Sequence, residues 1–130
     1  MILLDTNIII GYFSPEDTLH QKCRDLLSGK NVNDYCIIPE VFWEAVSIVS
    51  VRHSSEDAIK LGNILEKNFS FYDTKNIPLD SIWELFQELS PHRFSYVDTL
   101  LLVLLEDQEI DVLTLDEKLK KRITSRSAKK

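Results

Sequence analysis

Glycine is scarce in this chain, with three in 130 residues at Gly11, Gly29 and Gly62. They lie too far apart to form the Gly-rich turn that cradles phosphates, which excludes P-loop and dinucleotide-binding sites. Cysteine is as sparse. Cys23 and Cys36 lack zinc or redox spacing and read as buried reduced thiols of a cytosolic protein. His20, His53 and His92 are scattered, without the spacing of a zinc site. No serine or cysteine stands in a nucleophile-elbow context. A phosphoacceptor receiver domain is excluded too, because Asp5 has no acidic neighbour and the last strand ends in Asp116. Long apolar runs are missing. The longest, Leu100 to Leu105, is far too short to cross a bilayer. Ile2-Leu3-Leu4 opens the chain without a basic segment or cleavage site, so no signal peptide is expected. Repeats and linkers are absent.

The composition that remains is ordinary, with 44% hydrophobic and 28% charged residues, and the length suits one domain with a single core. Charge is distributed unevenly. All 21 acids lie in 1–117 with 8 Lys and Arg, whereas 118–130 carries seven bases and no acid. An acidic body repels nucleic acid unless cations intervene, while a basic end can contact phosphate. Equally, those bases suit a helix C-terminus and a frayed, soluble tail. The division expected is a domain over 1–124 and a basic tail over 125–130.

Short apolar strands are predicted at Ile2–Leu4, Tyr35–Ile38, Phe69–Tyr72 and Asp111–Leu115. Helices are predicted at Thr6–Phe13, Glu16–Leu27, Pro39 to about Val51, Ser55–Lys67, Asp80–Leu89, Tyr96–Glu106 and Glu117–Ile123. The amphipathic helices place Leu19, Cys23, Leu26 and Leu27, then Ala58, Leu61, Ile64 and Leu65, inward. Trp43, Trp83 and the phenylalanines fall at helical core spacing. The segment from Val41 to Val49 is apolar almost all round, which predicts a mostly buried helix. Strands that are unbroken apolar runs alternating with helices predict an α/β fold: a short parallel sheet with helices on both faces.

Four carboxylates stand in or beside these apolar segments: Asp5, Glu44, Asp98 and Asp116. Asp5 and Asp116 each end a strand and begin a helix, where an Asp caps the helix more often than it binds a ligand. The same place is also where open parallel sheets form their sites. Asp98 has capping-box spacing to Ser95 and precedes a core helix. Glu44 belongs to a narrow polar stripe of Glu40, Glu44, Ser47 and Val51, which either faces water or carries a site. Brought together, four carboxylates repel one another and need a cation; hard oxygen ligands suit Mg²⁺ or Mn²⁺, and such sites handle phosphates.

The stretches Leu3-Leu4-Asp5-Thr6-Asn7, Pro39 to Glu44, Ser95-Tyr96-Val97-Asp98 and Leu113-Thr114-Leu115-Asp116 together resemble the PIN-domain ribonucleases, particularly the VapC-like toxins of toxin–antitoxin pairs. That resemblance implies a three-layer PIN-like sandwich with four or five parallel strands. It makes Asp5, Glu44, Asp98 and Asp116 the catalytic, metal-binding acids, with Asn7 and Thr114 in support. It further implies Mg²⁺ or Mn²⁺ as cofactor, RNA such as tRNA or rRNA as substrate, a homodimer and a blocking antitoxin. Three departures from the family pattern stand out. Thr99 replaces a common Ala, the turn Asp107–Asp111 lacks Gly, and 118–130 shows no apolar run for a last strand. The expected activity is metal-dependent hydrolysis of RNA by a cytoplasmic toxin. The alternatives are a housekeeping RNA-processing nuclease and a catalytically weak scaffold that binds RNA or protein.

Overall fold

The computed structural model describes residues 1–29 and 31–127. Four strands, β1 (Ile2–Leu4), β2 (Tyr35–Ile37), β3 (Ser70–Phe71) and β4 (Asp111–Leu113), pair in the order β3-β2-β1-β4, all parallel. Register sets Leu3 against Cys36 on one side and Val112 on the other. Both central strands are apolar because both faces of the sheet are covered. Seven helices flank the sheet among the described residues: α1 (Thr6–Phe13), α2 (His20–Leu27), α3 (Pro39–Arg52), α4 (Ser55–Asn68), α5 (Leu79–Leu89), α6 (Tyr96–Leu104) and α7 (Glu117–Ser127).

The core is continuous from β1 and β2 into α1 and α6. Leu3, Leu4, Ile8, Ile9, Ile37, Leu100, Leu101 and Leu102 are each almost wholly buried, and such burial contributes about 2 kcal/mol per side chain. Gly11 permits close packing of α1 on α2, since a Cβ there would lie 2.4 Å from the Cys23 Sγ. Pro39 opens α3 at its first position, where its missing N–H costs nothing. Ser54 caps α4 by accepting from the Asp57 amide at 3.0 Å.

The chain leaves β1 toward β2 and β3 on one side, then returns to lay β4 on the other. The order therefore reverses between β1 and β4, and a crevice opens beyond their carboxyl ends, where open parallel sheets bind ligands. Asp5 follows β1 directly, and Thr114 to Asp116 follow β4.

Several sequence expectations need correction. The helix expected from Glu16 starts at His20, because the Asp17 carboxylate accepts from the Leu19 amide at 2.8 Å and closes a turn instead. Leu19 is 39% exposed and Ile64 is 40% exposed, so neither faces the core. The segment carrying Glu44 is not a mostly buried helix: only Val41, Ala45 and Val49 are buried, while Trp43 is 65% exposed. On α5 the buried stripe is Ile82, Leu85 and Leu89, leaving Trp83 and Phe86 outside it, stacked on each other at 5.8 Å. A helix packed on one side buries a single stripe, so apolar residues beyond that stripe turn outward.

The unusual positions have local explanations. Buried Thr99 gives its hydroxyl proton to the Ser95 carbonyl at 2.8 Å. The glycine-free turn is closed by Asp107, whose carboxylate accepts from the Glu109 amide at 2.9 Å. No fifth strand forms among the described residues, and α7 continues through Ser127, past the expected end at Ile123. The last three residues of the expected tail, 128–130, lie outside the described residues.

Candidate active site

The four carboxylates singled out from the sequence line one cavity of ≈ 330 Å³ at the carboxyl end of β1 and β4, together with Asn7. Thr6, Ser95, Asp17 and Arg52 line it as well. Asp5 is the most enclosed of the four acids, at 5% exposure. Glu44, Asp98 and Asp116 are half-buried and open toward solvent.

Each capping reading of these acids also holds. The Asp5 Oδ1 accepts from the Thr6 amide at 2.8 Å and caps α1. Asp98 and Ser95 form a reciprocal capping box at the start of α6. The Asp116 Oδ1 accepts from the Leu119 amide at 3.0 Å. Cap and site are compatible, because a helix N-terminus favours negative charge, and Asp98 and Asp116 each keep an oxygen outside the cap. Among the described residues, no hydrogen bond or ion pair holds the Glu44 carboxylate.

Thr114 is the hub that fixes the site. It is buried, and its hydroxyl donates to the Asp5 Oδ2 at 2.7 Å. The Thr114 Oγ1 in turn accepts from the Asn7 Nδ2 at 3.2 Å and from the Asp116 amide at 3.1 Å. Asn7 completes the lock, its Oδ1 accepting from the Leu115 amide at 3.0 Å. These bonds draw Thr114 and Leu115 out of the strand ladder, so β4 ends at Leu113 rather than at the expected Leu115. Lys118 ties α7 to the loop before α6. Its Nζ donates to the carbonyls of His92 and Arg93 at 2.7 and 2.9 Å and sits over the Phe94 ring. The elements carrying Asp98 and Asp116 are thereby held together.

Burial raises the Asp5 carboxyl from its ordinary 3.8 to about 6. The Thr114 hydroxyl and the Thr6 amide oppose that shift, while the charges of Asp98 and Glu44 add to it. Asp5 thus carries a destabilised negative charge at neutral pH and feels the charges of two neighbouring acids.

A hard divalent cation fits the chemistry of this donor set. All the acids offer oxygen, and the histidines and cysteines are absent from the cavity lining. Among the described residues, the buried Thr6 hydroxyl oxygen has no partner. Among the described residues, no three acidic, imidazole or thiol side chains converge closely enough to hold a bare ion. A hydrated ion such as Mg²⁺, which keeps several waters and uses one or two carboxylates plus substrate phosphates, does not require such a cluster.

A PIN domain family model matches residues 2–123. The chain belongs to the PIN domain family. Its fold is similar to the crystal structure of VapC20 from Mycobacterium tuberculosis, a toxin that cleaves the sarcin–ricin loop. The TM-score is 0.75 at 16% identity, covering 94% of this chain and 95% of that one. No curated protein matches the sequence. Two charged residues of this PIN domain's cavity lie outside the set expected from the sequence: Asp17, in a turn where a helix is expected, and Arg52. The signal for Arg52 was the ridge of Glu44, Ile48 and Arg52 at i, i+4 and i+8 along α3, all of which line the cavity. The polar stripe expected instead is split. Ser47 lines a separate groove between α3 and α4, Val51 is 87% exposed, and the Glu40 carboxylate accepts from Thr74 at 2.8 Å.

Proposed function

We propose that this PIN domain is a divalent-metal-dependent endoribonuclease acting as the toxin of a toxin–antitoxin pair. The observation that carries the reading is one cavity lined by Asp5, Glu44, Asp98 and Asp116 where the strand order reverses. A site this acidic repels an RNA phosphodiester unless a cation intervenes. A bound Mg²⁺ or Mn²⁺ would supply that charge and the acidity that activates water. The protein's own contribution is preorganisation. Thr114 and Asn7 orient Asp5, the capping box orients Asp98, and the turn around Thr114 orients Asp116. The toxin assignment draws on the fold shared with VapC20.

The test is incubation of the full chain with tRNA and rRNA in Mg²⁺, in Mn²⁺ and in EDTA. The reading expects cleavage with either metal and none in chelator. RNA that stays intact under all three conditions, yet is bound, would leave a binding scaffold instead. Growth arrest on expression, relieved by a small protein encoded next door, separates a toxin from a housekeeping nuclease.

A further inference from the structure

Among the described residues, Arg52 is the one cationic side chain lining a cavity whose other charged residues are Asp5, Asp17, Glu44, Asp98 and Asp116. Its guanidinium makes no ion pair or side-chain hydrogen bond among the described residues, although five carboxylates line the same cavity. It also stands at a junction. A second cavity of ≈ 200 Å³ adjoins the first and shares Ile10, Asp17, Ile48 and Arg52 with it. That cavity in turn shares Ser14, Glu16, Val49 and His53 with a third, of ≈ 260 Å³, which reaches Lys60. One groove therefore runs from the carboxylates along the end of α3, with Arg52 at its inner mouth, and His53 faces Glu16 across it at 4.0 Å.

The geometry points to Arg52 as a substrate-positioning residue that grips the phosphodiester next to the one being cut. This rests on the reading of the site as a ribonuclease. Arginine's planar fork takes two phosphate oxygens at once, and a guanidinium left unpaired in an acidic cavity is available to an anion that enters. The bland role for Arg52 is to offset the carbonyl end of α3. That role explains a positive charge in the last turn, but not a side chain that lines both cavities at their junction.

The test uses steady-state cleavage of one RNA across a NaCl series by the full chain, comparing wild type, Arg52→Ala, Arg52→Lys and Asp98→Asn, with urea unfolding of each. Arg52→Ala is expected to lower kcat/KM about tenfold, mostly through KM. Its salt slope should flatten by about 0.7, the share of one single-strand phosphate contact. Arg52→Lys should restore the slope and part of the rate, and the urea midpoints should match. Parental KM and slope in Arg52→Ala overturn the inference, as does a loss that only follows a lowered urea midpoint. If wild type cleaves and Asp98→Asn does not while Arg52→Ala is indifferent, the nuclease reading stands without this role. If wild type fails to cleave at all, both fall.

Discussion

Replacing Asp5 with Asn removes a buried charge and should make the protein more stable at neutral pH in EDTA. Burial lifts the folded-state pKa from 3.8 to about 6, a shift of roughly two units at about 1.4 kcal/mol each. The ionised carboxylate therefore costs the folded state about 3 kcal/mol above pH 6. The sign follows from proton binding. The native state holds its proton more tightly, so this group's contribution is fully present below pH 3.8 and is lost as pH rises through about 6. Asn does not recover all of that cost. Its amide would face the Thr114 oxygen, which already accepts from Asn7 and Asp116, and the Thr114 proton would lose its acceptor at about 1–2 kcal/mol. The expected net gain at pH 7.5 is about 1–2 kcal/mol, shrinking by about 2 kcal/mol at pH 4.5. Urea unfolding of both proteins at the two pH values measures it, since other titrating groups cancel in the difference. A difference between the two proteins that is the same at both pH values would refute the claim that Asp5 bears a destabilised charge. Mn²⁺ should reverse the order by stabilising wild type more than the variant.

Thr114→Val should leave the Asp5 Oδ2 without its shortest hydrogen bond and the Asp116 amide without its acceptor. A loss of about 1–3 kcal/mol in urea unfolding is expected, with RNA cleavage falling by at least tenfold in a kinetic assay. Gly11→Ala should destabilise by about 1–3 kcal/mol, because the new methyl would meet the buried Cys23 Sγ at 2.4 Å. Adding Cys23→Ala should recover most of that loss, and thermal melting of the single and double variants checks the pair.

The sheet was legible in the sequence because buried parallel strands leave a plain mark: Ile2–Leu4 and Tyr35–Ile37 are unbroken apolar runs, each followed by a helix. Asp5 and Asp116 were legible for the same reason, as acids that end such runs. Glu44 was less so, because the polar stripe around it reads differently depending on which neighbours the helix packs against. Trp43, Trp83 and Phe86 are exposed although helical spacing places them with the core. Periodicity shows that a helix has an apolar face, but it does not show how wide a stripe the neighbouring elements cover. Asp17 and Arg52 were missed because one lies in a turn and the other is a lone charge at a helix end. Only the three-dimensional crevice brings them together. The basic segment also divided in a way composition does not reveal: Lys118 clamps two carbonyls and Arg126 pairs with Glu106.

The central claim is that the carboxylates at the reversal of strand order act as one metal-dependent site. Single-turnover cleavage of RNA in Mn²⁺ by wild type and by Asp98→Asn, a near-isosteric change that removes one charge, tests it most directly. The account predicts a fall of about 100-fold or more for the variant, with folding intact by urea unfolding. Cleavage by Asp98→Asn at the wild-type rate would contradict it.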